Sequence, residues 1–74
     1  MKVLIVDDHA VVRHGLKSAI QSHGYEVVAE AGSINEAQAF MAQTNPDALI
    51  VDINLPDGSG FDLVAWSRRV SPTT

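Results

Sequence analysis

The sequence predicts an α/β fold: a doubly wound parallel sheet of three strands, each followed by a helix. Two observations carry it. The continuous aliphatic runs Val3–Val6 and Ala48–Val51 each stop at an acid, as fits strands of a parallel sheet buried on both faces. Between and after these runs, apolar residues recur at helical spacing. Strands alternating with helices imply a layered sheet with right-handed crossovers.

The elements follow in order. Val3–Val6 is the first strand. The first helix is expected over residues 9–23, where Val12, Leu16, Ala19 and Ile20 share a face, and Gly24 suits its end. Tyr25–Ala31 reads as a second strand; its acids Glu26 and Glu30 suggest an exposed edge. Ser33 with Glu36 three residues on forms a capping box for the second helix, whose stripe is Ala37, Phe40 and Met41. Asn45-Pro46 ends it, because a residue before proline avoids helical angles. Ala48–Val51 is the third strand. Residues 54–60, with Pro56, Gly58 and Gly60, read as a loop, residues 61–70 as a third helix capped by Ser59-Gly60, and residues 71–74 as a frayed polar tail.

Seventy-four residues allow one domain, 1–74, with marginal burial. There is no cysteine, so neither a disulfide nor a thiolate metal site is available. The net charge of −4, with Lys2, Arg13, Lys17, Arg68 and Arg69 scattered, disfavours direct nucleic-acid binding. The apolar runs are too short to span a bilayer, and Asp7 and Asp8 cut the first below the length of a signal peptide core. The chain therefore reads as cytoplasmic, without a membrane partner.

Chemistry concentrates in the acids. Ligands of open α/β sheets bind at the carboxyl ends of the strands. Asp7 and Asp8 occupy that end of the first strand and Asp52 that of the third. If these strands are neighbours, three carboxylates converge and repel, which a hard divalent cation relieves. Mg²⁺ takes carboxylate, water and phosphate oxygens. The constellation thus reads as a Mg²⁺-dependent phosphate site with a carboxylate nucleophile. The competing reading is that Asp8 or His9 simply caps the first helix. Asp57 reads as turn chemistry, Asp62 as a first-turn helix acid, and Glu26 and Glu30 as polar edge positions. His9 reads as a polar residue at a helix start, with a role in shaping the acidic pocket as the alternative. His14 and His23 read as solvated, Trp66 as packing with Leu63 and Val70, and Arg68-Arg69 as a solvated helix end.

These residues resemble a known family. Val3-Leu4-Ile5-Val6-Asp7-Asp8-His9 with Arg13, Gly15 and Leu16 is similar to the start of response-regulator receiver domains, most of all the NarL/FixJ (LuxR-type) transcriptional subfamily. Asp47 through Gly60 resembles the phosphorylation-site strand and loop, and the likeness covers residues 2–70. The resemblance implies a CheY-like, flavodoxin-like sheet of strand order 2-1-3. It implies that Asp52 accepts a phosphoryl group from a histidine kinase, and that Asp7, Asp8, Asp52 and the backbone carbonyl of Asn54 hold Mg²⁺, with Asp8 the more direct ligand of the acidic pair. It further implies a signalling phosphoacceptor rather than an enzyme, within a two-component transcriptional regulator.

The family pattern departs after residue 70. A complete receiver has a fourth strand with a Ser/Thr and a fifth with a Lys, both of which contact the phosphoryl group. These and a helix-turn-helix domain are absent from the 74 residues. Transfer is therefore expected to be impaired. The third strand is expected to present an open edge beside a partly bare sheet face, making a homo-oligomer the expected state. Two other functions compete. One is a self-associating structural fragment without chemistry. The other is a Mg²⁺-dependent aspartyl phosphatase, which usually carries a second acid two residues after its nucleophile, where this chain has Asn54.

Overall fold

A computed structural model describes residues 1–74. Three strands, β1 (Lys2–Val6), β2 (Glu26–Ala31) and β3 (Ala48–Val51), form a parallel sheet in the order β2-β1-β3. The helices are α1 (Ala10–Ser22), α2 (Ile34–Thr44) and α3 (Gly60–Val70). Central β1 is the driest element, with Val3 through Val6 all buried, as expected of a strand covered on both faces. Edge strand β2 is half-buried over most of its length.

Alternation along β1 divides the core. Leu4 and Val6 join Ala31 of β2, Ala37 and Met41 of α2, Leu63 of α3, and Leu55 from the segment before α3 in one apolar cluster, flanked by Phe40 and Trp66. Val3 and Ile5 turn to the opposite face, under α1. That helix buries none of its own residues completely, so the two faces are unequally packed. Ile50 of β3 stays 37% exposed, while Leu49 and Val51 pack against the cluster.

The helix signals act as expected. His9 and His23 flank α1, and Gly24 follows with φ +85°, a conformation cheap only for glycine. At α2, the Ser33 hydroxyl accepts from the Glu36 N–H at 3.2 Å. The Glu36 carboxylate reaches back to the Gly32 N–H at 3.0 Å, one residue further than the usual capping box. Asn45 closes α2 in the left-handed region before Pro46. Ser59 caps α3 by accepting from the Phe61 N–H.

Three features differ from the sequence reading. Residues 54–60 are not a plain loop: β4 (Asn54–Leu55) and β5 (Gly58–Ser59) pair as a two-residue antiparallel hairpin. Buried Leu55 anchors it to the core. The register of β2 against β1 shifts by one between Val27 and Ala29, a bulge that leaves Val28 without a partner. The last residues are not frayed, because the Thr74 hydroxyl donates to the Pro46 carbonyl at 2.8 Å and meets the Ser71 hydroxyl.

Candidate functional site

The register of β1 against β3 builds the site. Val6 lies beside Val51, so the next residues, Asp7 and Asp52, emerge level at the carboxyl end of the sheet. The ladder extends to them: the Asp52 N–H donates to the Val6 carbonyl at 2.8 Å and the Asp7 N–H to the Ala31 carbonyl at 2.9 Å. Both aspartates are thus fixed by sheet hydrogen bonds. Asp8 follows on the turn into α1.

Asp7 is the buried member, 7% exposed. A buried carboxylate needs donors, and His9 supplies two. Its N–H and its Nδ1 lie 2.8 and 3.0 Å from Asp7 Oδ1. The same Nδ1 lies 2.9 Å from Asp8 Oδ1 and 4.0 Å from Asp52 Oδ2. The hydrogen bond to Asp7, then the charge of Asp8, with smaller contributions from Asp7 and Asp52, raise the imidazole pKa above its ordinary value. His9 is therefore part of the pocket. It does stand at the N-cap of α1, as the polar helix-start reading had it, but its side chain makes no capping bond.

One ligand atom from each of Asp7, Asp8, His9 and Asp52 falls within 4.8 Å of the others. No lysine or arginine pairs with any of the three carboxylates. A cluster of oxygen donors with no permanent positive charge opposite fits a small hard cation. Asp52 opens to solvent, its side chain 28% exposed, and its Oδ1 faces the Asn54 N–H at 3.5 Å. A Cβ at Gly60 would collide with the Asp52 carbonyl, so only glycine lets α3 begin this close to the site.

Other residues follow less evident rules. Glu30 sits opposite Ile5, under α1. It lies on an edge strand, as read from the sequence, and in addition meets Arg13 Nε at 3.8 Å and Lys17 Nζ at 3.5 Å. Arg13 and Lys17, four apart on one helix face, were the signal available for that contact. Arg13 also donates to the Asp7 carbonyl. Asp57 does more than shape a turn. Its carboxylate accepts from the N–H groups of Ile34 and Asn35 at 2.8 and 3.0 Å, which lowers its pKa. His14 and His23 are exposed, and neither joins the acidic cluster.

The response regulator receiver domain family matches residues 3–74. Over 64 residues the chain is 45% identical to the DNA-binding transcriptional activator DevR/DosR of Mycobacterium tuberculosis, covering 85% of this chain and 30% of that protein. It is 40% identical over 69 residues to a nitrate/nitrite response regulator protein homolog of Haemophilus influenzae, covering 92% and 33%. The chain thus spans about a third of the length of these relatives. Among solved structures, a two-component response regulator of the LuxR family from Aurantimonas sp. is similar with TM-score 0.89 and 35% identity, over 96% of this chain and 51% of that one. The isolated REC domain of RcsB from Salmonella enterica serovar Typhimurium, in the presence of phosphomimetic BeF3-, is similar with TM-score 0.90 and 26% identity, over 99% and 56%.

Proposed function

Since the chain belongs to the response regulator receiver domain family, we propose that it serves as the phosphoacceptor module of a cytoplasmic two-component regulator of transcription, with Asp52 taking a phosphoryl group from a sensor histidine kinase. The observation that carries this reading is the convergence of Asp7, Asp8 and Asp52, without a lysine or arginine partner, at the carboxyl end of β1 and β3. An Asp52 oxygen forms the new P–O bond as the P–N bond to the donor imidazole breaks, and the released imidazole recovers a proton. Asp7, Asp8, Asp52 and the Asn54 carbonyl are the groups that would hold Mg²⁺. Bound there, Mg²⁺ would supply positive charge against the phosphoryl oxygens. Asp7 is held in place by His9, while Asp52 stays open to the donor. The result is a signalling mark, added negative charge at Asp52, rather than turnover.

Within these residues, the nearest group able to carry positive charge toward Asp52 is His9 Nδ1. No lysine or arginine pairs with Asp52 here, so slow transfer is the expected outcome for these residues, since charge neutralisation supplies most of the catalysis in phosphoryl transfer. Intact mass after incubation with Mg²⁺ and acetyl phosphate tests the reading. One added phosphoryl group in the wild type and none in Asp52→Asn supports it; equal labelling of both would refute the assignment of Asp52.

A second reading concerns assembly. The outer edge of β3 has no strand partner in the sheet, and Ile50 beside it is exposed. An unpaired edge invites pairing with another chain. We propose self-association through that edge or through the loosely covered face under α1, which buries none of its own residues.

A further inference from the structure

The hairpin that follows Asp52 is too small to hold its own shape. It has only two residue pairs, Asn54 with Ser59 and Leu55 with Gly58, and even longer isolated hairpins are marginal in water. Its position is set from outside at three points. Leu55 is buried in the core. Gly60 lies against the Asp52 main chain, and its N–H donates to the Ile53 carbonyl at 2.7 Å. The third point is Asp57 at the hairpin's tip, whose two carboxylate oxygens each take a separate N–H from the start of α2. Gly58 lies equally close to α2, since a Cβ there would stand 2.9 Å from Ile34 Cδ1.

Capping alone does not account for this. Ser33 already caps α2 from within the helix. Asp57 comes from 22 and 23 residues further along the chain, and it spends both oxygens on the contact. A charged acceptor bonded to two N–H groups at a helix N-terminus is among the stronger polar links available to a surface segment. The segment so linked runs directly from Asp52 through Asn54.

We propose that Asp57 is a positioning residue for the Asp52 site: by gripping the first two N–H groups of α2 it fixes the β4–β5 hairpin, and with it the Asn54 carbonyl and the Asp52 side chain, in the arrangement that accepts Mg²⁺. The inference rests on the reading of Asp7, Asp8, Asp52 and Asn54 as the metal site. It makes the start of α2 a partner of that site, although no α2 residue touches it.

Titration of the ¹⁵N-labelled chain with Mg²⁺, read from amide shifts, tests it against Ser33→Ala, which uncaps the same helix without touching the hairpin. The expected result is a loss of affinity of about tenfold or more in Asp57→Ala, the range seen when groups supporting metal ligands are removed. Ser33→Ala should stay close to wild type. In the wild type, the Ile34 and Asn35 amide signals should move as Mg²⁺ binds, a readout that stands even if Asp57→Ala does not fold. Asp57→Asn, which keeps one acceptor, should fall between. A wild type that binds Mg²⁺ with still Ile34 and Asn35 signals, or equal losses in Asp57→Ala and Ser33→Ala, would overturn this inference alone. A wild type whose Asp7, Asp8 and Asp52 signals ignore Mg²⁺ would overturn the metal reading, and the inference with it.

Discussion

At the residue scale, Gly60 and Asp57 act through the backbone they contact. Gly60→Ala drives a methyl group into the Asp52 carbonyl, so the start of α3 or the end of β3 must shift. A cost of about 1–3 kcal/mol, typical of overpacking, is expected in urea denaturation, and under the proposed function slower labelling of Asp52 by acetyl phosphate. Asp57 carries a pH dependence. Its pKa is lowered in the fold, first by the Ile34 N–H and then by the Asn35 N–H. A lowered carboxylate pKa means that the stabilisation is fully present above the unfolded value, about 3.9. It is lost as pH falls through the folded value. The melting temperatures of wild type and Asp57→Ala should therefore differ at pH 6 to 7, begin to approach each other below about pH 4, and converge once the pH has fallen through the lowered folded value. His9 raises a different expectation, because its ring competes with a cation for one oxygen of Asp7 and one of Asp8. His9→Ala should bind Mg²⁺ more tightly by roughly threefold, or about 0.7 kcal/mol, measured by the same amide titration.

At the scale of elements, the two faces of the sheet are held by different forces. Leu63 of α3 is completely buried among Leu4, Val6 and Leu55. Leu63→Ala should cost about 2–5 kcal/mol, because it leaves a cavity as well as losing transfer energy. Helix α1 lies over Val3 and Ile5 with no fully buried residue of its own, and the contacts of Arg13 and Lys17 with Glu30 add to its hold. Those pairs are partly exposed, so Glu30→Gln should cost less than about 1 kcal/mol. Hydrogen exchange should accordingly be faster in α1 than in α2, because opening follows the density of buried contacts. The helices themselves were legible, since Ser33, Glu36, Gly24 and Ser59 are local signals read within a turn of chain. The β4–β5 hairpin was not, because Pro56 and Gly58 mark a turn without saying that its arms pair. That pairing depends on Leu55 finding the core and Asp57 finding α2.

At the scale of the molecule, a radius of gyration of 11.2 Å is that of a compact chain of this length. Its surface is nonetheless apolar in places: Val11, Ile53 and Phe61 are each more than half exposed, and the outer edge of β3 is unpaired. The expected outcome by light scattering is a mass that rises from one chain toward two with concentration. Lysine in place of Ile50, Ile50→Lys, should hold the chain monomeric, since charge on an edge strand blocks pairing.

Local patterns along the chain suffice for the succession of strands and helices, the parallel sheet with β2 at its edge, and the aspartates that follow its strands, because hydrophobic period and capping are properties of neighbouring residues. How those aspartates meet is a matter of packing across the sheet. Asp7 and Asp52 are level because Val6 pairs with Val51, and register between distant strands is a contest among whole-core arrangements that no local pattern records. The same holds for His9 between the carboxylates, Glu30 under α1, the bulge at Val28 and Asp57 on α2. Each joins groups through space, and its energy exists only once the sheet has brought those groups together.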